Sequence, residues 1–528
     1  MTPVIALVAA AAALAVAADA KAPTARTESG IVSGVVADGI VSYKGVPYAA
    51  PPVGDLRWRE PAPPLRWTGV RAADAYAHDC MQLPFPSDAA PLGTPPSEDC
   101  LYLNVWAPEK PTAARLPVMV WIHGGGFVNG GSSPAVYDGS RFARRGVVLV
   151  SFNHRLGRFG FFAHPALTRE SPKGPLGNYG YLDQIAALRW VQRNVAAFGG
   201  DPGNVTVFGE SAGGGSVLML MSTPLARSLF HKAIVESGGG RAGGIMTPRR
   251  IRETSPDGKA SAEAVGVALA KAAGITGEDA SALAALRKLR AEDLVRGLNL
   301  MTMGQQQDTY AGPMIDGQVV TAEAETVFRA GQQARVPFLV GANSREFGFM
   351  PLPPQAADGM LARFGADRDA VTAAYDPQGT GNKVEVGIGL VSDGAMVEPA
   401  RLLARLAAAA GQPTYEYRFS YVASSIRKDT SGALHATEIP FVFETVRAKY
   451  GDATTAEDEA LAAAANSYWV NFARSGDPNG GSLPKWPRYS EKEDALMEFT
   501  AAGPAGKPDP WKARLDFTER LASTPPLR

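Results

Sequence analysis

Short apolar runs rich in β-branched residues recur along the chain, separated by longer stretches in which apolar positions return at helical intervals. The runs cover residues 101–106, 117–122, 147–152, 205–208, 233–235, 336–340 and 414–419. Their alternation with helical patterns predicts an α/β fold with a mainly parallel central sheet and helices on both faces. Residues 182–198 carry the helical spacing, and Gly199-Gly200-Asp201-Pro202 supplies the stop before the next strand. Ahead of the sheet, strand-like segments around 31–48 and a Pro/Gly-rich stretch at 50–67 predict an entrance layer. Two helical stretches interrupt the strand series, at about 241–330 and 351–411, and read as cap-like insertions over a site. No internal repeat, long linker or charge block divides residues 21–528, so one domain is expected.

At 528 residues and 45% hydrophobic content the chain can bury a large core. Lys+Arg and Asp+Glu balance at 52 each, leaving no global field to gather nucleic acid or an anionic membrane; a small-molecule substrate fits better. Residues 1–20 read as a signal peptide, with an apolar run at 4–18 and the small-residue pattern Ala18-Asp19-Ala20, although no Lys or Arg precedes the run. The run is shorter than the ~20 apolar residues that span a bilayer, and no later stretch is long enough. Export to a bacterial periplasm or beyond is therefore expected, where Cys80 and Cys100 can form a persistent disulfide. Two cysteines cannot build a structural zinc site, and the six histidines show no ligand pair at helical spacing, so neither metal nor cofactor is expected.

Candidate chemistry begins at Val205-Thr206-Val207-Phe208-Gly209-Glu210-Ser211-Ala212-Gly213, a strand running into Gly-x-Ser-x-Gly and then a helix-compatible run. A sharp turn there lifts the Ser211 hydroxyl off the sheet edge, and the helix N-terminus behind it favours negative charge. The base must lie after the serine in such folds. Only His231 and His435 do; His231 sits too early in the sheet, so His435, in the loop after the 414–419 strand, is the candidate. Among carboxylates, Glu346 follows the 336–340 strand at the carboxyl end, where sites collect, whereas Asp316 precedes it and Asp393 lies in the second insertion. Residues alone favour Glu346 without excluding the others. The strand 117–122 ends in His123-Gly124-Gly125-Gly126, the type of segment that offers backbone N–H groups to an oxyanion; Gly125, Gly126 and Ala212 are the candidate donors.

These motifs, with Glu98-Asp99-Cys100-Leu101-Tyr102-Leu103-Asn104-Val105, Asn153-His154-Arg155-Leu156-Gly157, the run 183–214 and the run 432–443, cover nearly the whole chain beyond residue 20 and resemble the type-B carboxylesterases. That group also holds cholinesterases, some lipases and the non-enzymatic neuroligins. The resemblance implies a Ser211–Glu346–His435 triad, an oxyanion hole of Gly125, Gly126 and Ala212, a Cys80–Cys100 disulfide, an Arg57–Glu98 ion pair, and a buried Glu210 beside the nucleophile. Two departures narrow it. The 81–99 loop lacks the Trp that stacks on choline in cholinesterases, and 237–241 lacks a bulky acyl-pocket aromatic, while Arg241 there offers a partner for an acidic acyl group or a solvated surface charge. The expected activity is hydrolysis of small carboxylic esters through an acyl-enzyme, falling below about pH 6 to 7 as the histidine protonates. A binding protein on the same fold and an amide or lactone hydrolase are the rival readings.

Overall fold

Eleven strands among the described residues hydrogen-bond into one sheet. In chain order they are β1 (Val35–Ala37), β2 (Ile40–Pro47), β3 (Tyr102–Pro108), β4 (Leu116–Ile122), β5 (Val148–Phe152), β6 (Gly200–Glu210), β7 (Lys232–Glu236), β8 (Phe338–Asn343), β9 (Thr414–Phe419), β10 (Ala495–Thr500) and β11 (Gly503–Pro508). Their spatial order is β1-β2-β3-β5-β4-β6-β7-β8-β9-β10-β11. The pairings from β5 through to β10 are parallel, and antiparallel strands close both edges. The computed structural model describes residues 22–523 except 87, 112, 175, 245–246 and 256–257, so the signal segment expected at 1–20 lies outside the described residues.

The apolar runs are continuous because the central strands are covered on both faces. Along β4, Val118, Val120 and Ile122 enter one core while Met119 and Trp121 enter the other. The first core takes helix α1 (Tyr179–Asn194) through Leu182, Ile185, Leu188 and Val191, and helix α2 (Ala212–Ser222). Helix α3 (Glu398–Ala409) packs on β8 from the same side through Leu403 and Ala407. The second core takes helix α4 (Ala456–Ser475) through Leu461, Trp469 and Phe472. Each such fully buried Leu or Val contributes about 1.5–3 kcal/mol. Helix α4 begins in a Thr455–Asp458 capping box and ends at left-handed Gly476. A last helix, α5 (Lys512–Ser523), follows the β10–β11 hairpin.

Two features depart from the sequence expectation. The sheet continues past 414–419: β10 adds a further parallel strand and β11 turns back on it. Its Glu498 is polar and breaks the apolar run, but it accepts a hydrogen bond from Ser420 (2.7 Å) and pairs with Lys507. Strand β6 also starts earlier than 205, because Gly200 pairs with Leu116 across a register shift. The expected entrance segments divide: Gly30–Ser33 pairs with Thr24–Thr27 and Val70–Ala72 in a small separate sheet, while 35–47 supplies β1 and β2 of the main sheet. The Cys80–Cys100 disulfide closes the loop before β3, and Arg57 donates to Glu98 at 2.6 and 2.9 Å and to the carbonyls of Arg287 and Leu289.

Candidate active site

Ser211 stands at the β6–α2 turn with φ 58° and ψ −122°, a conformation rarely adopted by a residue with a side chain. The turn is held from both sides: Ser211 N–H donates to Glu236 O (2.9 Å), and Gly215 N–H donates to Ser211 O (2.8 Å). Glycines are required beside it. A Cβ on Gly209 would meet Ile122 O and Gly213 C at 2.6 Å, and one on Gly213 would overlap Ile122 O. The serine is thereby left half-buried while Glu210 and Ala212 on either side are buried.

Glu346 follows β8 and is fully buried. Its Oε1 accepts from Ser237 Oγ (2.5 Å) and from Asn343 N–H (2.6 Å), and its Oε2 lies 2.5 Å from His435 Nδ1. That carboxylate assigns the proton to Nδ1 and turns Nε2 toward the elbow. The histidine loop is zipped to the Glu346 segment: His435 N–H donates to Glu346 O (3.0 Å), Arg345 N–H to Ala433 O (2.9 Å) and Asn343 Nδ2 to Leu434 O (2.7 Å). Phe347 stacks on the imidazole with ring centres 5.6 Å apart.

His435 Nε2 also lies 3.2 Å from Glu210 Oε1. The contact is electrostatic, because Glu210 Oε1 accepts no hydrogen bond among the described residues. Burial opposes the charge on His435, but the Glu210 and Glu346 carboxylates outweigh it and push its pKa up to about 10. Burial likewise drives Glu210 well above the usual carboxylate range, against the pull of His435. Two more buried carboxyls stand nearby: burial and Glu346 push Glu438 up to about 7, and burial and Glu438 push Glu236 up to about 8.

The glycine segment after β4 faces the elbow: a Cβ on Gly124 would lie 2.7 Å from Glu210 Oε2 and 3.1 Å from Ser211 Cβ. Gly125 and Gly126 have φ of 105° and 64°, open only to glycine without strain. Among the described residues, nothing accepts a hydrogen bond from the N–H of Gly125, Gly126 or Ala212. His123 is not part of the reacting edge. It stacks on His154 at 4.6 Å, and burial holds the two rings neutral, at about 3 and about 4.

The other sequence candidates lie elsewhere. His231 Nδ1 accepts from Val205 N–H, Asp316 Oδ1 closes a turn to Gln318, Val319 and Val320, and Asp393 pairs with Arg514. Arg241 is neither solvated nor free for an acidic acyl group: its side chain is 6% exposed and bonded to Glu325 at 2.9 Å, with Glu398 at 3.4 Å. Among the described residues no three His, Cys, Asp or Glu side chains converge on a metal-sized site, and no helix is long and apolar enough to cross a membrane.

A mostly parallel sheet with a strained serine at a strand–helix turn, a glycine segment beside it and a Glu–His pair in loops after two neighbouring strands are features of the α/β-hydrolase fold. Residues 21–510 match the model of the carboxylesterase family; the chain belongs to that family and is a carboxylic ester hydrolase. Its relatives include fumonisin B1 esterase of Sphingopyxis macrogoltabida, 38% identical over 90% of this chain and 85% of the relative. Another is para-nitrobenzyl esterase of Bacillus subtilis, 36% identical over 88% and 92%. A solved PNB esterase superposes with a TM-score of 0.77 at 33% identity, over 95% of this chain and 99% of that one.

Proposed function

We propose that the protein is a serine carboxylesterase in which Ser211 is the nucleophile, His435 the general base and acid, and Glu346 the carboxylate that orients the imidazole. The observation that carries this reading is the 2.5 Å Glu346–His435 contact beside the elbow that holds Ser211. Ser211 Oγ attacks the ester carbonyl carbon as its proton passes to His435 Nε2. The developing oxyanion accepts from the N–H groups of Gly125, Gly126 and Ala212, each such donor stabilising the transition state by about 3 kcal/mol. The imidazolium then protonates the departing alkoxide, leaving an acyl group on Ser211. Water, deprotonated by His435, releases the acid and restores the hydroxyl. Ser237 and Asn343 fix the second oxygen of Glu346, so the carboxylate cannot rotate away from the ring.

The substrate is a small carboxylic ester, in keeping with relatives named for fumonisin B1 and para-nitrobenzyl esters. Hydrolysis of a nitrophenyl ester series by the parent and by Ser211→Ala, prepared identically, tests the reading: kcat is expected to fall by at least about 10⁴-fold. Undiminished turnover in the variant would sink it. No turnover by the folded parent would favour the rival reading, a binding protein on this fold. Cleavage after Ala20 and export are inferred as well, supported by the Cys80–Cys100 bridge. Sequencing the N-terminus of secreted protein tests this, with a chain still beginning at Met1 as the contrary result.

A further inference from the structure

Asn129 lies three residues past Gly126, is 1% exposed, and has every hydrogen-bonding group of its side-chain amide engaged. Its Nδ2 donates to Gln82 Oε1 (3.1 Å) and Leu83 O (3.0 Å), and its Oδ1 accepts from Leu300 N–H (2.7 Å). The partners belong to separate parts of the chain, the disulfide loop and the first insertion. On the loop side the attachment is stiff. Gln82 grips Gly130 in both directions, accepting from its N–H (2.9 Å) and donating to its carbonyl (2.6 Å), and also donates to Cys80 O (2.9 Å). Asn129 N–H donates to Gly125 O (2.9 Å), closing the turn that shapes the glycine segment. The side-chain amide is therefore fixed relative to the oxyanion glycines.

What it holds is residues 299–305. That segment is knit internally, with Met301 N–H, Thr302 N–H and Thr302 Oγ donating to Asn299 Oδ1. The Leu300 N–H bond to Asn129 is the only hydrogen bond among the described residues that ties 299–305 to a distant part of the chain. The segment then sets an apolar wall against the proposed oxyanion hole. A Cβ on Gly126 would lie 2.6 Å from Leu300 Cδ1 and 3.2 Å from Met303 Sδ. Leu300 and Met301 remain 37% and 57% exposed, so the wall stands at an open mouth.

We propose that Asn129 is a positioning residue for substrate selection: its side-chain amide hangs 299–305 so that Leu300 limits the size of the ester group admitted beside Gly126. The inference rests on the Ser211 site proposed above. It predicts a preference for esters compact on that side, and a relaxed preference when the bond is lost. The hydrogen bond joins two separate parts of the chain, so its removal frees the wall without touching Ser211, His435 or Glu346.

The test compares kcat/KM for bulky and compact esters in two series, nitrophenyl esters of increasing acyl length and acetates of increasing alcohol bulk, in parent, Asn129→Ala, Leu300→Ala and the double variant. In at least one series the bulky-to-compact ratio is expected to rise about tenfold in each single variant, the scale of size discrimination in an apolar pocket. In the double variant it is expected to stay within about twofold of either single change, because both act on one wall. Unchanged ratios in both series, or additive effects in the double variant, overturn the inference. Asn129→Ser replaces Asn129→Ala if the latter does not fold. A parent that hydrolyses no ester defeats the Ser211 reading itself; turnover with unmoved ratios defeats only the role of Asn129.

Discussion

The contact between Glu210 and His435 decides how the proposed base titrates. A histidine flanked only by the orienting Glu346 is expected to lose activity below about pH 6 to 7. With Glu210 Oε1 at 3.2 Å from Nε2 and its charge favouring the imidazolium, the ring holds its proton to higher pH, so the acid limb of the profile moves upward. Removing that charge lowers the folded-state pKa of His435 and makes the neutral base available at lower pH. Glu210→Gln is accordingly expected to shift the acid limb of kcat/KM downward by about one pH unit or more, measured on one nitrophenyl ester. A limb that stays in place or moves up contradicts the assignment. Of the proposed residues, Ser211 stood out by its motif and His435 by elimination, while place after a strand only favoured Glu346 and the family resemblance singled it out. Ser237 was not legible, because it meets Glu346 across the β7–β8 pairing, 109 residues away in the chain. A signal was available: both residues follow the ends of strands that lie side by side. Gln82 and Asn129 carried none, since amides are ordinary loop residues until their partners are known.

At the scale of elements, the strand–helix elbow works because β4, β6 and α2 approach at distances only glycine allows. Gly213→Ala puts a Cβ into Ile122 O and must push α2 away from β4. A displacement near 1 Å at the nucleophile costs on the order of 10²-fold in rate. The variant is expected to lose at least that much kcat/KM and to melt lower by calorimetry; parental rate and stability would contradict the packing account. Strands β3 to β8 were readable from apolar runs because both faces are covered, whereas β9 alternates, with Tyr415, Tyr417 and Phe419 in the second core and buried Glu416 and Arg418 between them, Arg418 paired with Asp509. Strand β10 was not readable, since Glu498 sits within it, one strand in from the sheet's edge, and is satisfied by Ser420 and Lys507, partners that exist only after folding. The insertions were legible as helical from composition, but the turn that sets Leu300 against Gly126 was not. It is an irregular segment whose position is dictated by a hydrogen bond to Asn129.

Across the whole molecule, balanced charge excludes a global field but conceals partly buried ion pairs, several of which bind α5 to α3. Arg401 of α3 donates to Asp494 at 2.6 to 3.1 Å and to Asp516 of α5 at 2.8 Å, while Arg405 pairs with Glu519 and Arg241 with Glu325. This explains why Arg241 is structural: α3 and α5 enclose it. Arg401→Met leaves Asp494 buried without its cation, which costs about 3–5 kcal/mol. Urea unfolding is expected to show that loss, and a change below about 1 kcal/mol would mean the pair contributes little. The central claim is that one serine, set on the strained turn at the carboxyl end of central strand β6, carries the acyl group. Its most direct test is intact and peptide mass measurement after treatment with a fluorophosphonate, in which serine oxygen displaces fluoride from phosphorus. One adduct per chain, located on Ser211 and accompanied by complete loss of esterase activity, is the predicted result. An adduct on a different serine, or full esterase activity in a chain fully labelled at Ser211, would contradict it.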